Sequence, residues 1–185
     1  MSRTPPRRSV TQAGDVLGID ASLNGTGLWF LREDYGTKLD PEKRTGIDRL
    51  ARLYELLRNR LLERPVSTVV IEGYAFGSKS RAHAIGEWGG IVKLAIMELT
   101  IATRIIVIPP ATLKKYTIGH CRAGESGKPE MRAAVRDRWG RDIADNDICD
   151  AYCLARAGWA IVNNIGCSEV DLATLKMAHI TTVSR

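Results

Sequence analysis

Short apolar runs rich in β-branched residues are the feature that most limits how this 185-residue chain can fold. Ser67 to Ile71 and Arg104 to Ile108 are two such runs, each followed closely by turn-forming residues. This pattern is typical of strands that are buried on both faces of a sheet. Earlier in the chain, Val16 to Ala21 and Gly27 to Arg32 flank the pair Asn24-Gly25. That arrangement predicts a β-hairpin.

Apolar residues recur at helical spacing in the long stretches between and after these runs. Pro65 ends the first helical stretch, and the polar loop Gly119 to Gly127 precedes the last two. The predicted helices are Arg44 to Arg64, Ser80 to Thr103, Leu113 to Tyr116, Lys128 to Trp139 and Asn146 to Asn163. The order of elements predicts an α/β fold in which a mixed β-sheet carries helices on its faces.

Length and composition indicate one globular domain, because 185 residues with 44% hydrophobic content can bury one substantial core. We expect a flexible basic arm over residues 1–13, a folded domain over 14–165 and a tail of unassigned role over 166–185. No apolar run reaches the roughly 18 residues of a membrane span, and the four cysteines show no disulfide framework. These features favour a cytoplasmic protein without a membrane partner.

Positive charge is concentrated in one part of the chain. The net charge is +6, and the segment 104–141 alone contains nine lysines and arginines against three acidic residues. Such a segment is either a solvated basic face or a surface that binds nucleic-acid phosphates.

Four carboxylates lie at positions for which a purely structural role is the least satisfactory explanation. Asp20 ends the first predicted strand, and Glu72 directly follows the buried run Ser67 to Ile71, at the end of a strand where α/β sheets bind ligands. Asp147 and Asp150 lie three residues apart at the start of the last helix and therefore share one face. Taken singly, each has an ordinary alternative: Asp20 can cap a turn, and the helical pair can complement the helix dipole.

Together the four carboxylates predict a metal site, because like charges gathered from three segments repel one another unless a cation neutralises them. The N-cap of the last helix is expected at Asp145 or Asn146, so Asp147 and Asp150 are not needed as caps and are free for another function. Oxygen-only ligands suit Mg²⁺ or Mn²⁺, and His83, His120 and His179 do not cluster in the sequence. Two such ions can cut a phosphodiester by activating water and stabilising the leaving oxygen.

Three motifs in this order resemble those of a known family. The run VLGIDASLNGTG at 16–27 is similar to the first motif of the RuvC-type Holliday junction resolvases, a strand that ends in Asp and leads to a Thr-Gly turn. VIEGYAFG at 70–77 resembles their second acidic motif, and its sequence is closer to that of phage members. DICDA at 147–151 resembles their closing Asp-x-x-Asp-Ala. The resemblance spans about residues 16 to 160.

The resemblance implies an RNase H-like fold, a homodimer, and symmetric nicking of four-way branched DNA. It implies that Mg²⁺, with Mn²⁺ as a substitute, binds Asp20, Glu72, Asp147 and Asp150. It places Lys128 and Lys115 beside the scissile phosphate, and it offers Tyr74 or Phe76 as the ring that stacks on a junction base. The remaining expected substrate-binding residues are Lys114, Lys79 and Arg81.

Other functional classes remain open at the level of the sequence. Actin-like ATPases and sugar kinases share the opening strand, Asp and Gly/Thr hairpin, but they need two such domains. A ribonuclease or RNA-processing member of the same fold, and a binding module without catalysis, are further alternatives.

The dimer interface is expected on the helix from Ser80 to Thr103. Its glycines at 86, 89 and 90 permit close approach of another backbone, and Ile85, Trp88, Ile91 and Val92 supply apolar surface. The alternative is that this helix only covers the sheet.

Overall fold

The structure, a computed structural model, describes residues 15–73, 82–99, 104–119, 127–164 and 173–182. In these ranges the strands are β1 (Val16–Asp20), β2 (Thr26–Phe30), β3 (Tyr35–Leu39), β4 (Thr68–Glu72), β5 (Arg104–Ile108) and β6 (His179–Thr182). The helices are α1 (Gly46–Glu63), α2 (Ala82–Leu99), α3 (Pro110–Ile118), α4 (Lys128–Trp139) and α5 (Asn146–Asn163). None of the helices in these ranges is long and apolar enough to cross a membrane.

The strands form one mixed sheet in the order β3-β2-β1-β4-β5-β6. The central strands β1, β4 and β5 run parallel, whereas β2, β3 and β6 pair antiparallel with their neighbours. The mixed α/β sheet and the hairpin of β1 and β2 that the sequence predicts are therefore confirmed.

Helices cover both faces of the sheet, and side chains alternate between two cores. On one face, Leu17, Ile19 and Val69 of the sheet pack with the leucines of α1 and with α2. On the other face, Val16 and Val70 pack with α3, α4 and α5. The chain is thus a three-layer α/β/α structure, as period-two alternation along buried strands requires.

The α5 helix lies in direct backbone contact with the sheet. A Cβ added at Gly18 of β1 would overlap the carbonyl of Ala151, and one added at Gly27 of β2 would overlap the carbonyl of Asp147. These two positions tolerate no side chain, because the neighbouring atoms belong to the helix backbone and cannot move independently. Both glycines are therefore needed for the close approach of α5.

The two edge strands were not predicted from the sequence. Strand β3 carries Gly36 and Lys38 and is only partly buried, so it lacks the apolar signature of a core strand. Strand β6 is exposed at all four residues and pairs with β5. Part of the tail that had no assigned role thus completes the sheet, while the predicted arm over 1–13 lies outside the described residues.

The expected dimer surface on α2 needs correction. Trp88 and Val92 are fully buried in the core of the protomer, and the Trp88 indole Nε1 donates a hydrogen bond to Thr26 Oγ1 at 2.9 Å. They face the sheet because α2 covers the hairpin, so they cannot supply interface area. The exposed large apolar side chains of this helix are Leu94 and Met97.

We expect Gly18→Ala to destabilise the protein by about 1–3 kcal/mol, because the new methyl group must push α5 away from β1. Chemical denaturation followed by circular dichroism measures this change. Gly90→Ala is the matched control, since Gly90 is exposed on α2 and no described atom lies within 4 Å of the added Cβ. The control should keep or slightly raise stability through its helix propensity. Equal stabilities of the two variants would contradict the backbone contact.

Candidate active site

Two of the four carboxylates end neighbouring parallel strands. Strand β1 ends at Asp20 and β4 ends at Glu72, and the two strands pair in register with Ile19 opposite Ile71. Because the strands are parallel, both acidic side chains emerge at the same edge of the sheet. This edge is where open α/β sheets bind their ligands.

The start of α5 brings the other two carboxylates to the same place. Asp145 is the N-cap, as one of the two sequence alternatives had it, and its Oδ1 accepts hydrogen bonds from the backbone N–H groups of Asp147 at 2.9 Å and Ile148 at 3.1 Å. The first turn of α5 lies over Gly27 of β2, beside the end of β1. Asp147 and Asp150 therefore reach the strand-end carboxylates because the helix begins at a fixed point above the hairpin.

All four carboxylates line one open cleft of about 490 Å³. Lys128 of α4 lines it too, as do residues to which the sequence analysis gave no role at this site. These additional lining residues are the turn Ala21 to Asn24, Arg49 of α1, and Ala84 and Ile85 of α2. Nothing in the local sequence around Arg49 or Ala84 marks them, since only the packing of α1 and α2 brings them to the cleft.

The carboxylates strongly perturb one another. Burial raises the pKa of Asp20 well above its ordinary value, and repulsion from the other three carboxylates raises it further, whereas Lys128 lowers it. Burial and repulsion from Asp150 raise the pKa of Glu72 to about 7, against an opposing effect of Lys114. Burial also raises the pKa of Asp150 to about 6, although Lys128 opposes it. Such mutual repulsion in a cleft is typical of a site that binds a cation.

Three lysines surround the cluster. Lys128 Nζ lies 3.9 Å from Asp147 Oδ1, and its side chain is 64% exposed, so it faces both the acids and the solvent. Lys114 of α3 acts electrostatically on Glu72 and Asp150. The third, Lys38 of β3, places its Nζ 2.5 Å from Asp147 Oδ2 and 3.3 Å from Asp145 Oδ2. Sequence reasoning missed Lys38 because it did not predict β3.

The donor set fits a hard divalent cation, since the acidic groups at the cleft offer only carboxylate oxygens. As the side chains stand, no three Asp, Glu, His or Cys groups within the described ranges converge closely enough to enclose an ion. The mutual repulsion of Asp20, Glu72 and Asp150 is the observation that favours a cation, because bringing one among them would relieve it.

The remaining expected substrate contacts stand apart from the cluster or outside the described ranges. Lys115 is exposed on α3 and is not one of the lining residues of the cleft. Tyr74, Phe76, Lys79 and Arg81 all lie outside the described residues.

The mixed sheet with helices on both faces has the RNase H-like fold, which solved structures of known proteins share. The chain shares that fold with RuvC of Thermus thermophilus, with a TM-score of 0.63 and 20% identity over 80% of this chain and 96% of RuvC. The same RuvC in complex with a Holliday junction substrate matches with a TM-score of 0.62 and 19% identity over 86% of this chain and 96% of that chain.

A further solved structure, the yeast mitochondrial Holliday junction resolvase Ydc2, matches less well. Its TM-score is 0.49 at 15% identity, over 89% of this chain and 82% of Ydc2. No protein-family model and no curated protein sequence matches the chain.

We expect Glu72→Gln to raise the stability of the protein in EDTA at pH 8 but to change it little at pH 4. The pKa of Glu72 is about 7 in the folded state and about 4.3 in an unfolded chain, so its native state holds the extra proton between these values. Stability from this group is therefore present below pH 4 and is lost as the pH rises through 7. Glutamine removes that loss, which amounts to roughly 3–4 kcal/mol.

Denaturant unfolding of the wild type and the variant at both pH values measures the difference. Glu33→Gln is the control, because Glu33 is exposed in the turn between β2 and β3. A pH-independent difference between Glu72→Gln and the wild type would show that Glu72 is not perturbed as described.

Proposed function

We propose that this protein is a divalent-metal-dependent endonuclease of the RuvC type, which resolves four-way DNA junctions by paired phosphodiester hydrolysis. The observation that carries the proposal is the gathering of four carboxylates, from three separate chain segments, around one cleft at the edge of a RuvC-like sheet. A RuvC of this fold is known in complex with a Holliday junction substrate.

In this proposal the four carboxylates are the cation ligands, and they are held by two kinds of element. Asp20 and Glu72 are anchored at the ends of paired strands and therefore offer their oxygens from a rigid base. Asp150 and Asp147 approach from the first turn of α5 and complete the ligand set. Mg²⁺ or Mn²⁺ bound there would activate the attacking water and stabilise the leaving oxygen. The raised pKa of Glu72 and Asp150 means that cation binding also drives their full ionisation near neutral pH.

The lysines at the cleft match a polyanionic substrate. Lys128 is the first helical residue of α4, with its ammonium group exposed beside Asp147, so it can contact a phosphate placed between the acids and solvent. Lys114 adds positive charge on the Glu72 and Asp150 side. Charge of both signs at one site is what a nuclease needs, because the carboxylates hold the cation and the lysines hold the DNA backbone.

The proposal includes a homodimer. Resolution of a junction needs two symmetry-related cuts, and the described part of each chain provides a single carboxylate cleft. The exposed apolar side chains of α2, Leu94 and Met97, offer a surface on the face of the sheet opposite α5. Two copies joined there would present two clefts to opposite strands.

We expect Asp20→Asn, Glu72→Gln and Asp150→Asn each to lower junction cleavage by at least about 100-fold while junction binding persists, because these groups act on the transition state. Gel assays of cleavage and binding on a matched panel of four-way DNA junction, DNA duplex, flap and RNA–DNA hybrid provide the measurement. Glu33→Gln is again the control. Wild-type turnover in any of the three variants would remove that residue from the site, and preferential cutting of the hybrid would indicate a ribonuclease instead.

We expect Lys128→Ala and Lys114→Ala to weaken junction binding with a reduced salt dependence. A lost phosphate contact lowers the slope of log affinity against log salt by about one unit. Fluorescence anisotropy in Ca²⁺ at several salt concentrations measures that slope. Arg104→Ala serves as the control, because Arg104 is exposed at the first residue of β5, at the end of the sheet away from the carboxylates. A slope identical to that of the wild type would show that neither lysine contacts a DNA phosphate.

A further inference from the structure

Lys38 is a charged group that contacts Asp147 beside the cleft and that the proposed mechanism does not use. It pairs directly opposite Gly27 in the ladder between β2 and β3, and Gly27 is the residue over which Asp147 of α5 sits. The sheet register therefore fixes Lys38 beside the first turn of α5. Its ammonium group ion-pairs with Asp147 at 2.5 Å, much closer than the 3.9 Å between Lys128 and the other oxygen of Asp147.

The path of the Lys38 side chain is confined by the turn between β1 and β2. A Cβ added at Gly25 in that turn would overlap Cε of Lys38, with Nζ and Cδ at 3.1 and 3.2 Å. Gly25 lies outside the left-handed backbone region, so the backbone conformation does not require a glycine there. Its lack of a side chain instead leaves room for the side chain of Lys38. The turn leaves a channel through which Lys38 reaches Asp147.

Asp145 gives Lys38 a second anchor. Its Oδ1 is occupied by the two N–H groups at the start of α5, while its Oδ2 faces Lys38 Nζ at 3.3 Å. Asp145 is thus a fixed carboxylate that can keep the ammonium group when Asp147 is withdrawn.

We propose that Lys38 is a positioning residue that competes with the catalytic cation for Asp147. Without the cation it holds Asp147 in an ion pair; when the cation binds, Asp147 turns toward the other carboxylates and Lys38 stays with Asp145. This inference rests on the proposed metal site. It accounts for why Asp147 is ion-paired with Lys38 although it lines the same cleft as Asp20, Glu72 and Asp150.

A competing internal cation must weaken metal binding, and the coupling acts in both directions. Removing the charge by Lys38→Gln should therefore tighten the binding of Mn²⁺ by about tenfold, within the usual range of such couplings. The side chain of Lys38 is 35% exposed, so solvent screening keeps the effect well below that of a fully buried pair.

Gly25→Ala provides a second route to the same state, because its methyl group displaces Lys38 from Asp147 without changing the charge of the protein. We expect it to tighten Mn²⁺ binding in the same direction but by less, since the ammonium group remains nearby. It also keeps the inference testable if Lys38→Gln fails to fold.

Isothermal titration of the 185-residue protein with Mn²⁺ alone, without DNA, measures these affinities. Lys176→Gln is the control for a lost positive charge at the other edge of the sheet, and its affinity should equal that of the wild type. Tighter binding by both Lys38→Gln and Gly25→Ala supports the competition. Unchanged or weaker binding by Lys38→Gln overturns it, as does an equal gain in Lys176→Gln.

The two proposals fail in different ways. A wild-type protein that binds no Mn²⁺ at millimolar concentration would overturn the metal site and this inference together. Mn²⁺ binding by the wild type that Lys38→Gln leaves unchanged would overturn only the role of Lys38.

Discussion

The contact between α5 and the bare backbone of β1 and β2 is the interaction on which the rest of the structure depends. Gly18 and Gly27 leave no room for even one methyl group between the sheet and the helix. The helix therefore sits at one height and one position, fixed further by its N-cap at Asp145. Without that approach, the carboxylates of α5 would not share a cleft with those of the strands.

The cleft concentrates charge that a stable core would avoid. Burial and mutual repulsion raise the pKa of Asp20, Glu72 and Asp150, which means that the ionised cluster destabilises the folded state near neutral pH. The surrounding core of fully buried aliphatic side chains on both faces of the sheet offsets this cost. Such a conflict between local stability and charge is expected where a site must bind a cation and a polyanion.

Several elements could be predicted from the sequence because their signals are local. Strand β5 and helices α4 and α5 begin and end where apolar periodicity, proline and capping residues place them. The edge strands β3 and β6 could not be predicted, since exposed strands lack an apolar pattern and form only because a neighbouring strand offers its hydrogen bonds. Because β3 was not predicted, the position of Lys38 beside the site was not predicted either. That position depends on the register that places Lys38 opposite Gly27.

By itself, the sequence determined that Asp20 and Glu72 end buried strands and that Asp147 and Asp150 share a helix face, because alternation and helical spacing are properties of the local chain. It also determined the α/β class, through strands and helices that alternate. Only the tertiary structure decided which groups meet: the parallel pairing of β1 with β4, the seat of α5 over two glycines, and the lysines that face the acids. Those choices depend on contacts between residues far apart in the sequence, such as Val16 with Thr68 or Lys38 with Asp145, and no local pattern encodes such contacts.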